Sequence, residues 1–97
     1  MYVGILEVRI KLAEAFNLKE KRQVVKSVFE RVKHRFNFTS GEVGDEKIIN
    51  LSSWGFACVS NSYSHTEERL EKLINFLEED FRFDIIEIRR EIINDND

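Results

Sequence analysis

Seven basic side chains lie between residues 17 and 36, and their type and spacing suit a chemical role better than any others in the chain. Only Glu20 and Glu30 oppose them, so the stretch has a net charge of +5. Cations repeated along a line suit contact with a phosphate backbone, which needs point charges rather than a shaped pocket. At about 100° per residue of helix, one flank of the segment holds Lys19, Arg22, Lys26 and Lys33.

The other flank of this segment holds Lys21, Arg31 and Arg35. The predicted nucleic-acid contacts are Lys19, Lys21, Arg22, Lys26 and Lys33. Cations in the first turn of a helix oppose the helix macrodipole by about a few tenths of a kcal/mol, which favours a role other than stability. The alternative is an ordinary solvated helix face whose cations pair with nearby acids.

A second candidate surface is the apolar segment from Trp54 to Val59. It distantly resembles the strand that presents aromatic rings for base stacking in RNA-recognition domains, but Cys58 replaces the second aromatic residue. If the small residues between them lie under the helices, Trp54 and Phe56 face outward in an apolar patch that suits a homodimer. The opposite register, with both rings in the core, is equally compatible. The predicted dimer interface is Val3, Ile5, Trp54, Phe56, Phe83 and Ile85.

Few residues suit catalysis or metal binding. Cys58 is the single cysteine, and it has no obvious neighbouring cation or helix N-terminus to activate its thiol, so we expect a buried small residue. His34 and His65 are far apart, and no paired cysteine or histidine spacing indicates a metal site. We therefore expect a non-enzymatic domain with no catalytic residues, no metal and no cofactor.

Period-two and period-3.6 patterns define the elements that position these residues. Residues 2–12 alternate between two faces, and residues 17–36 repeat apolar side chains every three or four positions. A Ser-x-x-Glu capping box begins a second helix at Ser64. The remaining predicted elements are strands over 38–43, 53–62 and 83–93, a loop over 44–52 and a polar, fraying tail over 94–97.

The predicted order is βαββαβ. Each helix has one apolar stripe, so both should cover the same face of the sheet. Right-handed crossovers then give a ferredoxin-like α+β sandwich, with a four-stranded antiparallel sheet and two helices on one face. The other sheet face stays open, and residues 1–97 form one domain.

Composition supports a globular chain of 97 residues, with 42% hydrophobic residues. No apolar run approaches the roughly 20 residues of a membrane span, and no secretory signal is visible. We therefore expect a cytoplasmic protein that does not enter membranes. The total charge is only −3, but residues 64–81 have a net charge of −4, so the basic segment is balanced by an acidic helix.

Segments 17–27, 55–60 and 76–79 together resemble a small bacterial family of unknown function, the YlxP-like family. The resemblance extends from Tyr2 to Ile93, and its Leu-Lys-Glu-Lys-Arg block after Asn17 is fairly specific. It implies a ferredoxin-like fold and, for many members, genes beside those of translation and ribosome-maturation factors. It implies no established activity.

Two functions from different classes follow. The first is contact with ribosomal or other structured RNA, or a ribosome-associated protein, through the basic first helix in translation or ribosome maturation. The alternative is a homodimeric interaction or regulatory module that uses the open sheet face, with or without a small ligand at the interface.

Overall fold

The elements follow the predicted order, and the ferredoxin-like α+β fold is confirmed. A computed structural model describes residues 1–96, in which two helices pack on one face of a four-stranded antiparallel sheet. The bounds are β1 Tyr2–Leu12, α1 Leu18–Phe36, β2 Thr39–Gly44, β3 Leu51–Ser60, α2 Tyr63–Glu78 and β4 Phe83–Asn94.

The strand order is β2-β3-β1-β4, so β2 and β4 are the edge strands. Directly opposed residues of an antiparallel pair share a face. Val8 opposes Trp54 and Leu6 opposes Phe56, and all four lie in the core between sheet and helices. The complete core is Leu6, Val8, Ile10, Leu12, Val25, Val28, Val32, Phe38, Trp54, Phe56, Cys58, Leu70, Leu73, Ile74, Leu77 and Phe83.

α1 begins at Leu18 because Asn17 caps it. The side-chain Oδ1 of Asn17 accepts a hydrogen bond from the backbone N–H of Glu20 at 2.9 Å, and its Nδ2 donates to the Glu20 carboxylate at 3.2 Å. The helix ends at Asn37, which adopts the left-handed conformation (φ 56°) that asparagine tolerates better than most residues. The predicted cap and length of this helix are therefore confirmed.

α2 begins two residues earlier than the capping box predicts. Ser62, rather than Ser64, has the extended backbone of an N-cap, and its Oγ accepts from the His65 N–H at 3.2 Å. Because β3 ends at Ser60, the chain turns into the helix sooner and Ser64 falls inside the first turn.

The predicted tail begins inside a strand. β4 continues to Asn94, and Asp95 exchanges two hydrogen bonds with Met1 at 2.7 and 2.8 Å. Residues 94 and 95 are therefore held at the end of the sheet, while Asp97 lies outside the described residues. Within residues 1–96, neither helix is both long and apolar enough to cross a bilayer.

Candidate nucleic-acid interface

One flank of α1 presents a line of cations to solvent, which we call the basic row. The capped start of α1 and its apolar stripe fix the rotation of the helix, so that the polar flank points away from the core. None of these cations forms an ion pair within residues 1–96. The basic row consists of the exposed side chains Lys19, Arg22, Lys26 and Lys33.

A groove runs between α1 and the edge strand β2, beside the basic row. Its volume is about 730 Å³, and most of its lining is apolar. Its apolar side chains are Val25, Phe29 and Phe38, which we call its floor, and the basic row supplies all three of its cations, which we call its rim. The complete lining is Arg22, Val25, Lys26, Phe29, Glu30, Lys33, Asn37, Phe38, Thr39, Ser40 and Glu42. We call this feature the α1–β2 groove.

Arg69 of α2 fixes one end of the groove. Its guanidinium donates to the backbone carbonyls of Phe36 and Asn37 at 3.3 and 3.2 Å, where the last turn of α1 lacks intrahelical partners. The same guanidinium lies over the Phe38 ring at 5.3 Å. These contacts hold the turn from α1 into β2 in place, so the end of the groove is built into the fold.

Ser40 lines the groove wall, and its side chain carries a buried, unsatisfied oxygen. Its Oγ is buried and forms no hydrogen bond with any described residue. It is the only side-chain oxygen or nitrogen of this kind in the described part of the chain. An unpaired buried hydroxyl costs about 1–3 kcal/mol, so a ligand that reached this oxygen after a turn of the Ser40 side chain would offset that cost.

Lys21 is not a surface cation, so its prediction as a nucleic-acid contact is wrong. Its side chain is only 1% exposed. The Nζ ammonium lies 2.7 Å from the carbonyl oxygen of Ile48, 3.2 Å from that of Glu46 and 3.2 Å from the Glu42 carboxylate, and it also donates to the Asp45 carbonyl. Lys21 therefore holds the β2–β3 loop against α1 through the loop's backbone carbonyls.

The Lys21 ammonium is one end of a buried polar chain. Glu42 accepts a hydrogen bond from the Ser52 hydroxyl, whose oxygen accepts from the indole N–H of Trp54 at 2.7 Å. Ser52 and Trp54 are both fully buried. The indole thus has the partner that a buried tryptophan needs, and the core is connected to the loop through charge and hydrogen bonds.

Asp45 holds the other side of the same loop. Its carboxylate accepts from Arg9 at 3.0 Å and from the Ser53 hydroxyl at 2.7 Å. These hydrogen bonds, that of Arg9 above all, lower the pKa of Asp45 below its usual value. Asp45 has a positive φ of 59°, so its backbone makes the sharp turn that its side chain then fixes.

Four of the six residues predicted at the dimer interface lie on the helix-covered side, so that part of the prediction is wrong. Trp54, Phe56 and Phe83 belong to the core, and Ile85 packs against it. The register that places Trp54 and Phe56 in the core is more stable, because these large side chains bury more apolar area than the glycine and alanine between them. Val3 and Ile5 do lie on the open face, where they oppose Val59 and Ala57.

Ion pairs occupy much of the open face. Arg9 contacts Glu87 at 3.6 Å, and Arg89 contacts Glu7 at 2.8 Å and Glu91 at 3.1 Å. Exposed apolar side chains remain on this face at Val59 and Ile93, near Val3, and at Val43, beside Gly55. Arg9 and Arg89 on this face are thus matched by carboxylates, in contrast to the cations of the basic row.

The other candidate residues do not converge on a site. Cys58 is buried beside Gly4, as a small core residue. His34 and His65 are exposed on separate helices. Among residues 1–96, no three His, Cys, Asp or Glu side chains are grouped so that they could hold a metal ion.

Comparison with known proteins places the chain among proteins of unknown function. The sequence model described as "Protein of unknown function (DUF503)" matches residues 3–90. The uncharacterized protein YlxP of Bacillus subtilis (strain 168) is 34% identical over 76 residues, which cover 78% of this chain and 83% of that protein. The chain therefore belongs to the DUF503 family, as its resemblance to the YlxP-like family indicates.

Proposed function

We propose that this protein is a cytoplasmic, non-enzymatic domain that binds RNA through the basic row. The single observation that supports the proposal is that its four cations form one line and are exposed and unpaired within residues 1–96, whereas Arg9 and Arg89 of the open sheet face are paired. An unpaired row keeps its full charge for phosphate oxygens. Structured RNA of the ribosome is the target that the resemblance to a translation-linked family favours.

The proposal predicts a definite dependence on salt. If each member of the basic row neutralises one phosphate, the logarithm of the binding constant falls with the logarithm of salt concentration with a slope of about −3. A fourfold rise in salt then weakens binding by roughly 50-fold. A slope near zero would contradict phosphate contact even if some RNA bound.

The test is a fluorescence anisotropy titration of labelled ribosomal RNA fragments with the wild-type chain and two triple variants. Arg22→Ala/Lys26→Ala/Lys33→Ala should lose most of the affinity and reduce the magnitude of the salt slope by about two, since Lys19 remains. The matched control removes three exposed lysines from elsewhere on the surface and has the same net charge, but should bind nearly as well as the wild type. It is Lys11→Ala/Lys47→Ala/Lys72→Ala.

Equal losses in the two triple variants would indicate nonspecific attraction to total charge and reject the basic row as the contact. Absence of RNA binding at low salt would reject the proposal entirely. Sedimentation of the tagged protein with ribosomal particles, and its release as salt rises, then tests the ribosomal target separately.

A further inference from the structure

The rim of the α1–β2 groove suits a ligand with several negative charges along its length. Arg22 and Lys26 are one helical turn apart, a rise of about 6 Å, and Lys33 follows about 10 Å further along the axis. Two carboxylates also line the groove: Glu42 is already paired with Lys21, and Glu30 is exposed on the rim. The three cations and Glu30 leave the rim with a net charge of +2.

The floor of the same groove suits a flat apolar group. Phe29 is half-buried, and its ring makes T-shaped contacts with Trp54 and Phe56 at centroid distances of 5.6 and 5.8 Å. The remaining surface of Phe29 lines the groove. A ring held in this way by core residues is a rigid stacking surface, and nucleobases stack on such rings with little dependence on sequence.

The wall of the groove holds one buried hydroxyl without a hydrogen bond to any described residue, and a ligand contacts it once the Ser40 side chain turns toward the groove. The buried Ser40 Oγ has no partner among the described residues, and a hydroxyl can both donate and accept. A ligand that fills the groove therefore needs anionic groups for the rim, a flat body for the floor and a polar edge for the wall. A nucleotide has all three.

We infer that the α1–β2 groove binds an unpaired nucleotide of single-stranded RNA, with its base on Phe29 and its edge against Ser40, while the adjoining phosphates contact the basic row. This inference rests on the proposed function and narrows its ligand. A duplex presents the same phosphates but keeps its bases stacked and paired, so it leaves the groove unused. Single-stranded segments of structured RNA are thus the ligand.

The experiment compares a labelled short oligouridylate with a blunt RNA duplex of the same length at low salt. The wild-type chain should bind the single strand at least about tenfold more tightly, because stacking adds to the shared phosphate contacts. Ser40→Ala should weaken single-strand binding by about 2- to 10-fold and leave duplex binding unchanged. Ser64→Ala, an exposed serine on α2, is the matched control and should change neither.

Amide chemical shifts add a second measurement. Titration with the oligouridylate should shift the amides of Phe29, Phe38 and Ser40 well beyond those of the open sheet face. If both RNAs bind with equal affinity and Ser40→Ala changes neither affinity, the nucleotide site is wrong, while phosphate contact by the basic row stands. Absence of RNA binding would overturn both proposals. If oligoglutamate, rather than either RNA, shifts the groove amides, the groove binds an acidic peptide and the inference is wrong.

Discussion

Replacement of Lys21 by methionine should destabilise the fold by about 3 kcal/mol. Methionine keeps much of the aliphatic stem in its packed position but removes the ammonium. Three loop carbonyls then lose a charged donor, and Glu42 loses its cation while its side chain remains only 22% exposed. Removal of one member of a buried ion pair costs about 3–5 kcal/mol. The lower limit applies here because Glu42 retains some contact with water.

Urea denaturation followed by tryptophan fluorescence measures this loss directly. Trp54 is the single tryptophan, is fully buried and is connected to Glu42 through Ser52, so its emission reports both global unfolding and the state of the network. With a urea dependence of about 1–3 kcal/mol per molar, the midpoint should fall by roughly 1–3 M.

Two further variants show whether the loss of stability comes from the broken Lys21–Glu42 ion pair or from replacing any lysine of α1. Lys19→Met removes an exposed cation from the same helix and should change stability by less than about 0.5 kcal/mol. Lys21→Met/Glu42→Gln should recover part of the loss, because the carboxylate that the first change leaves unpaired is gone. A loss below about 1 kcal/mol in Lys21→Met, or no recovery in the double variant, would refute the assignment of Lys21 as the anchor of the loop.

Three other predictions concern stability. Arg82 donates a hydrogen bond to Asp80 and lowers the pKa of that carboxyl. The ionised Asp80 therefore stabilises the fold above its unfolded pKa, and this contribution is lost as the pH falls through the folded pKa. In urea titrations from neutral to strongly acidic pH, the free energy of unfolding should fall less steeply for Asp80→Asn than for the wild type. Gly4→Ala should cost about 1–3 kcal/mol by thermal melting, because a Cβ there would lie 2.7 Å from Thr66 Cγ2. Ser62→Ala should cost about 1 kcal/mol, measured by urea denaturation, because α2 loses its N-cap.

Matched control variants show whether the losses at Gly4 and Ser62 come from the clash and the lost cap, or from substitution at any glycine or serine. Gly41 is also a strand glycine, but a Cβ there would meet nothing within 4 Å, so Gly41→Ala should not share the loss seen at Gly4. Ser64→Ala should be nearly neutral if Ser62 is the true cap. A larger loss at Ser64 than at Ser62 would support the boundary that the capping-box pattern predicts over the one in the structure.

Periodicity predicted the elements well because each pattern depends on residues close in sequence. It also contained the signal for Lys21, which precedes Val25 by four positions, Val28 by seven and Val32 by eleven, the spacing of the buried stripe itself. The residue type argued against burial, since lysine is almost never fully buried unless paired. Its partners are carbonyls of a loop more than twenty residues away, and no local pattern reveals such contacts.

The face of β3 was ambiguous for a related reason. Alternation divides Trp54 and Phe56 from Gly55 and Ala57, but it does not say which set lies under the helices. That choice depends on pairing with β1, where Trp54 opposes Val8. The groove could not be predicted either, because it forms only where α1 passes over the edge strand. Its cations were predicted from sequence, whereas the missing hydrogen bond of the buried Ser40 hydroxyl depends on surroundings that the sequence does not reveal.

The burial of Lys21 also changes the functional inference drawn from the cations in the first turn of α1. Lys21 opposes the helix macrodipole but is explained by the loop carbonyls, which leaves Lys19 as an exposed cation at an unfavourable helix end. Lys33, in the last turn, is at the favourable end. Lys19→Glu should therefore stabilise the fold by about 0.5 kcal/mol, and Lys33→Glu should destabilise it by a similar amount. If both residues bind phosphate, both variants must nevertheless weaken RNA binding and lower its salt slope. Opposite changes in stability with the same change in binding would separate phosphate contact from any effect on folding, whereas RNA affinity that follows stability would show that the row is an ordinary solvated face.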